Sequence, residues 1–200
     1  DGAGSLTLSL HRSIHAIGAA DWDGCAGADN PFVSFAFLSA LEDSGSASAK
    51  TGWLPQHLCL RDADGRIVAV APAYAKAHSY GEYVFDWAWA DAYQRHGLAY
   101  YPKLLCAVPF TPVPGSRLLV RDASLRPILL AAIEQLARES GASSIHLLFQ
   151  DEADQRSASD AGWMPRSTVQ FHWTNRQPEP YADFDDFLTG MQHDKRKKIR

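Results

Sequence analysis

Apolar and polar residues alternate in several runs along the chain, and each run predicts an element. Leu6, Leu8 and Leu10 alternate with Thr7, Ser9 and His11, the period of a half-buried first strand. Residues Ala19 to Ala26, around Trp22, suit a short helix. After the Asn30-Pro31 break, Ser34 can cap a helix carrying Phe37, Leu38 and Leu41 to a stop near Gly45. His57 to Arg61 and Ile67 to Tyr74 read as strands. Between them Asp62-Ala63-Asp64-Gly65 gives the Asp-Gly signal of a hairpin. Tyr83, Phe85, Trp87 and Trp89 alternate with Val84, Asp86, Ala88 and Ala90, a strand or extended segment with an aromatic face, and Asp91 to Leu98 suits a short helix. Leu104 to Val108 is an apolar strand running into the proline-rich Pro109 to Gly115. The clearest helix follows. Asp122 or Ser124 caps it, Pro127 lies in its first turn, and Leu129, Ala132, Ile133, Leu136 and Ala137 form one stripe before Gly141. Ile145 to Phe149 predicts a buried strand and Asp151 to Ala161 a helix.

The last forty residues change period. Val169, Phe171 and Trp173 alternate with Gln170 and His172, predicting a final strand. After Pro178 and Pro180, Phe184, Phe187, Leu188 and Met191 fall at helical spacing, and the helix is expected to continue through Lys195 to Arg200. On this reading the chain stops inside a helix and is the first part of a longer protein. A hairpin group followed by alternating helices and strands predicts an α/β, α+β-type mixed sheet with helices on both faces. One domain is expected over residues 1–180, with residues 181–200 starting a basic helix that leads into a second, missing domain.

Composition narrows the function classes. A net charge of −4 disfavours a whole-surface nucleic-acid binder. Cys25, Cys59 and Cys106 have no zinc or redox spacing, and three lone thiols suggest a reducing, cytoplasmic compartment. The start, Asp1 to Ser5, has no signal-peptide pattern, and no apolar run is long enough to span a bilayer. No metal-ligand spacing, phosphate-binding loop or Gly-x-Ser-x-Gly elbow is present.

Several residue groups are more specific. Phe85-Asp86-Trp87-Ala88-Trp89-Ala90-Asp91-Ala92-Tyr93, Tyr100-Tyr101-Pro102-Lys103-Leu104 and Val108-Pro109-Phe110-Thr111-Pro112 with Gly115 form one set. Gln170-Phe171-His172-Trp173 with Asn175, Phe184 to Leu188 and Lys195 to Arg200 complete it. As a group they resemble bacterial FemAB-like predicted N-acyltransferases of the GNAT (acyl-CoA N-acyltransferase) superfamily. The resemblance implies a GNAT-like fold and transfer of an acyl or aminoacyl group to an amine, by analogy with peptidoglycan aminoacyl transfer. It implies acyl-CoA or aminoacyl-tRNA as donor, a small-molecule or peptide amine as acceptor, and a second GNAT-like half beyond this chain. The GNAT pyrophosphate turn, Gln/Arg-x-x-Gly-x-Gly/Ala, is absent. Before the helix stands only Pro114-Gly115-Ser116-Arg117, followed by Leu118 to Arg121.

The candidate chemistry centres on Asp86 and His172. Asp86, on an otherwise apolar run, must be paired or lie in a cleft. It is either an orienting or proton-accepting carboxylate, or a structural partner of Lys103 or Arg117. His172 is either a general base near neutral pH or a hydrogen-bonded structural histidine. Trp87, Trp89, Tyr93 and Phe110 are either a stacking wall or core packing. Lys103 and Arg117 are either anion clamps or plain surface charge. Asp86, Trp87, Lys103, Phe110, Thr111 and His172 are expected to line one acceptor cavity. The basic Lys195–Arg200 run could meet tRNA phosphates. The alternative function is a non-catalytic module with a transferase fold that recognises a peptide or peptidoglycan precursor.

Overall fold

The hairpin at Asp62–Gly65 forms as its residues dictate. In this computed structural model, which describes Ser5–Val84 and Asp86–Ile199, Asp62 Oδ1 accepts from the amides of Asp64 and Arg66 at 3.1 and 2.9 Å. Gly65 takes the left-handed φ of 80° that the turn requires. The strands it joins are His57–Arg61 (β3) and Ile67–Ala71 (β4). Thr7–His11 (β1) pairs with the other edge of β3, antiparallel. Phe85 of the aromatic run, Arg200 of the basic helix and residues 1–4 lie outside the described residues.

Trp53–Pro55 (β2) precedes β3 by one residue, Gln56, and Ala73–Lys76 (β5) follows β4 by one residue, Pro72. The expected single strand Ile67 to Tyr74 is therefore two strands, because Pro72 supplies no amide to the ladder. Gln56 N still donates to Ala73 O at 2.8 Å, so pairing passes through the bend. Two four-stranded sheets result. The first runs β1-β3-β4-β7, with β7 at Leu119–Val120. The second runs β2-β5-β6-β8, with β6 at Lys103–Cys106 and β8 at Ile145–Leu147. The two sheets meet at the Gln56–Ala73 bond, and among the described residues only β6 and β8 pair in parallel.

Helices cover both faces, as the alternation of the strands requires. Ala19–Ala26 (α1) and Phe35–Asp43 (α2) form at the places the sequence indicates, and Ser34 Oγ accepts from Phe37 N at 3.2 Å. Trp22 and Leu38 from these helices pack with Cys59, Ile67, Val70 and Leu119. On the other face lies Arg126–Ser140 (α4), whose Leu129, Leu130, Ile133 and Ala137 bury against Leu58, Leu60, Ala69 and Leu104. Each such side chain contributes ~1.5–3 kcal/mol on burial. Gly141 closes α4 at φ 67°. Glu152–Asp160 (α5) is capped by Asp151, which accepts from Asp154 N at 2.9 Å.

Two expectations fail in the remaining elements. Trp87–Arg95 is a helix (α3), not the end of an aromatic strand. The residues alternating with its aromatics are alanines, the best helix formers, and a tryptophan–alanine alternation suits either period. Val169 to Trp173 is not in a strand. Val169, Phe171 and Trp173 are all exposed, and the alternation has no paired neighbour to supply a ladder.

The chain divides into two compact units, Asp1–Pro165 and Arg166–Arg200. Within the second, Phe184–Thr189 (α6) and His193–Ile199 (α7) are separate helices, so the expected continuous helix is broken. Gly190 interrupts it, because glycine is a poor helix residue and offers no side chain to pack. Phe187 packs against Trp173 and Tyr181 with ring centroids 6.0 and 5.3 Å apart, and Asn175 Oδ1 accepts from Tyr181 N at 3.0 Å.

Candidate functional site

Lys76 and Lys103 stand opposite each other across the β5–β6 pair, and both are fully buried. Like charges so placed are destabilising unless anions intervene. The loop from Ala77 to Asp86 supplies them. Glu82 Oε2 accepts from Lys103 Nζ at 2.8 Å, and Glu82 Oε1 lies 4.0 Å from Lys76 Nζ. Asp86, at the entry to α3, accepts from Lys103 Nζ at 2.6 Å and from the Tyr100 hydroxyl at 2.7 Å, both on Oδ2. Ser79 Oγ is the third partner of Lys103, at 2.8 Å, and also bonds the Tyr101 hydroxyl at 2.8 Å.

The titration behaviour follows from burial and these contacts. Burial pushes the Glu82 carboxyl up, and Lys103 and Lys76 only partly offset it. Burial acts on Asp86 in the same sense, but hydrogen bonds from Lys103, Tyr100 and Ser79 outweigh it and hold this carboxyl below its ordinary value. Burial brings the Lys76 ammonium down to about 8 against the pull of Glu82. Lys76 Nζ also lies 3.6 Å from the centre of the Trp53 ring. Glu82 Oε1, Asp86 Oδ1 and Trp53 Nε1 are buried with no hydrogen-bond partner among the described residues.

The aromatic candidates surround this cluster. Tyr93 packs against Tyr100 at 5.1 Å, and Trp87 against Tyr80 at 5.6 Å. Trp87 and Trp89 are about half exposed on α3. Phe110 lies on Trp53 at 5.4 Å, and Thr111 Oγ1 donates to Pro109 O at 3.0 Å. Asp86 and Lys103 are therefore joined directly, and Tyr93 reaches them through Tyr100. His172 belongs to the second unit and is exposed there.

Arg117 is placed differently. It is fully buried, and its guanidinium donates to the carbonyls of Val113, Gly115, Ser116 and Leu148 at 2.6 to 3.2 Å. It ties the excursion between β6 and β7 to the strand leaving β8, and Gly115 N donates to Phe149 O at 2.9 Å. Asp154 completes the tie. Its Oδ2 accepts from the amides of Arg117 and Leu118, and its Oδ1 pairs with Arg126 Nε at 3.1 Å.

These contacts bear on an anionic donor. Asp122 Oδ1 accepts from Ser124 N at 2.8 Å, in the turn that opens α4. The amides of a pyrophosphate turn would be needed at this place. Here carboxylates hold the amides of Arg117, Leu118 and Ser124, and no glycine stands between Ser116 and Arg126 to allow a close approach. The residues present do not fit an acyl-CoA pyrophosphate at this turn. A cavity of about 420 Å³ lies nearby, lined by Gly24, Cys25, Ser116, Arg121 and Arg126 among others. Both guanidinium groups are engaged, Arg126 with Asp154 and Arg121 with Ile67 O at 2.9 Å.

Residues 13–200 match the FemAB-like family, described by peptidoglycan biosynthesis/recognition. The chain belongs to the FemAB-like family. A solved structure shares the fold of this FemAB-like chain. AAC(6')-Iy in complex with the bisubstrate analog CoA-S-monomethyl-acetylneamine aligns at a TM-score of 0.50 and 14% identity, covering 86% of this chain and 99% of that one. The aminoglycoside 6'-N-acetyltransferase AAC(6')-Ih from Acinetobacter baumannii aligns at 0.46 and 12% identity, covering 86% and 99%. No curated protein shows significant similarity. The fold of this FemAB-like chain is thus like that of the acetyltransferase AAC(6')-Iy. Among the described residues, no helix is long and apolar enough to cross a membrane, and no group of His, Cys, Asp or Glu is placed to hold a metal ion.

The sequence reading missed Trp53, Lys76, Ser79, Glu82, Tyr100 and Tyr101 as members of the cluster. Lys76 and Glu82 carried a usable signal. A lysine at the end of an apolar strand and a glutamate among tyrosines both need partners if buried.

Proposed function

We propose that the chain is the acceptor-holding N-terminal half of a FemAB-like N-acyltransferase, and that a second half beyond residue 200 completes the donor side. The observation that carries this is the buried Lys103–Glu82–Asp86 cluster beside exposed aromatic rings. Buried charge of this kind is costly and clusters at functional sites. In the proposed reaction the acceptor amine attacks the activated carbonyl carbon. A C–N bond forms, and the C–S bond of an acyl-CoA or the C–O ester bond of an aminoacyl-tRNA breaks. The amine proton passes to a base or water. Asp86 orients the amine, and His172 is a second candidate proton acceptor in the longer protein. Trp87, Trp89, Tyr93, Phe110 and Thr111 form the acceptor wall, with Lys103 holding the carboxylates in place.

The donor is the finer part of the proposal. The CoA analog belongs to the solved acetyltransferase. In this chain the carboxylates of Asp122 and Asp154 favour a donor held elsewhere, and the basic α7, with Lys195, Arg196, Lys197 and Lys198, suits tRNA phosphates. A bacterial cytoplasmic setting is part of the same proposal, in keeping with the three free, buried thiols.

The engaged donor-side amides also favour a second reading, a recognition module for a peptidoglycan precursor without turnover. An acyl-transfer assay decides between them. The longer protein is offered acyl-CoA and aminoacyl-tRNA separately, with a lysine-containing peptide stem as acceptor. Transfer to the lysine amine supports the enzyme. Binding of the stem without transfer from either donor supports the module.

A further inference from the structure

Phe110 has a backbone that L-residues seldom adopt, with φ 57°. Its amide donates to Gly81 O at 3.2 Å. Its ring lies so close on Gly81 that an added Cβ there would come within 2.6 Å of two ring carbons. Phe110 is 40% exposed, whereas Trp53 and Lys76 beneath it are at 0%. Tyr83, on the other side of Gly81, repeats the strain at φ 58°. Strained positions of this kind cluster at clamps and binding sites.

Near Gly81 and in the Lys103 cluster, polar atoms have no hydrogen-bond partner among the described residues. A Cβ on Gly81 would stand 3.3 Å from Trp53 Nε1, which has no partner. Glu82 Oε1 has none either, since Lys76 Nζ at 4.0 Å is too far for a hydrogen bond. Glu82 and Asp86 share the Lys103 ammonium, so their two free oxygens belong to one cluster. Free acceptors on carboxylates beside an aromatic face call for N–H donors that carry positive charge.

We propose that Phe110 is a lid over a recognition site for a primary ammonium group, held by Glu82 Oε1 and Asp86 Oδ1 beside the Trp53 ring. The site deepens the acyltransferase reading and rests on it, the ammonium being the acceptor's reacting end before it loses its proton. While the lid is closed, Lys76 occupies the Trp53 face as an internal substitute. Its proton is loosely held, because burial lowers the ammonium to about 8. A second cation arriving at Glu82 favours loss of that proton to solvent, which leaves the carboxylate to the guest. Lys103 keeps Ser79, Glu82 and Asp86 as partners throughout.

The test uses the 200-residue chain and two probes. Nα-acetyl-L-lysine amide carries the ammonium, and Nα-acetyl-L-norleucine amide lacks it. Tryptophan fluorescence follows equilibrium binding, and stopped flow follows the rates. The lysine probe is expected to saturate and the norleucine probe not to. Glu82→Gln is expected to weaken binding about tenfold or more. Phe110→Ala removes a partly exposed ring, spares the core, and is expected to raise both association and dissociation rates about fivefold or more. Equal responses to the two probes, or no saturation, would mean that the free oxygens hold only water, and would overturn the site. Unchanged rates in Phe110→Ala would overturn the lid, and this variant decides even if Glu82→Gln fails to fold. No donor is needed, so ammonium binding without acyl transfer by the longer protein would remove the enzyme and keep the site. Acyl transfer with an unchanged acceptor KM in both variants would do the reverse.

Discussion

Lys103 Nζ lies 2.6 Å from Asp86 Oδ2, in a cluster where both side chains are almost wholly shut off from water. Removing the cation strands two carboxylates. Lys103→Met should lower stability by about 3–5 kcal/mol, the usual result of breaking a buried pair. Adding Glu82→Gln and Asp86→Asn to it should recover part of that loss. Urea denaturation of the single and triple variants measures both. A single variant within about 0.5 kcal/mol of the parent would show that the cluster is not closed as described.

Lys76 makes stability depend on alkaline pH. Its folded pKa, about 8, lies below the ordinary lysine value of 10.5. Between these values the unfolded chain binds the proton and the folded chain does not, so this group makes stability rise with pH. The thiols of Cys59 and Cys106, pushed up by burial to about 12, act oppositely above the ordinary thiol value of 9.0. The net slope is a difference, and Lys76→Met isolates one part. Relative to the variant, the parent should gain stability from pH 8 to 10. Parallel stability profiles for the two proteins would contradict the assignment.

Arg117 anchors the proline-rich excursion through four carbonyls. Lysine keeps the charge but loses the planar fork. Arg117→Lys should cost about 2–3 kcal/mol and speed amide exchange at Val113, Gly115 and Ser116. Unchanged exchange there would mean that the prolines alone hold the loop.

The carboxylates of Asp122 and Asp154 hold the amides that a pyrophosphate would need. Calorimetric titration of the 200-residue chain with acetyl-CoA should show no saturable binding below about 1 mM. One-to-one binding in the micromolar range would mean that another set of donors takes the phosphates.

Much of the fold was legible because caps and periods agree. Ser34, Asp151 and Gly141 each end a helix where the local chemistry requires it, and Asp62–Gly65 closes its hairpin. The tryptophan–alanine run from Trp87 misled because its alternation is compatible with either period. Val169 to Trp173 misled because a strand needs a partner, and periodicity says nothing of one. Of the candidate site, the Asp86–Lys103 pair followed from a charge on an apolar run. Glu82 and Lys76 carried a similar signal of charge in apolar surroundings, but the partners they meet depend on the cross-strand pairing that sets the two lysines opposite each other, a long-range property. Arg117 reads as an anion clamp or plain surface charge, whereas it is fully buried, because the tertiary structure brings the Leu148 carbonyl to it.

Steady-state acyl transfer by the longer protein and its Asp86→Asn variant tests the central claim most directly. The substitution keeps the shape of a carboxylate that holds Lys103 and Tyr100 and, on the proposed mechanism, offers its other oxygen to the acceptor. With circular dichroism confirming a folded variant at the assay temperature, turnover should fall about tenfold or more. A folded variant that transfers the acyl group at the parent's rate would contradict the account.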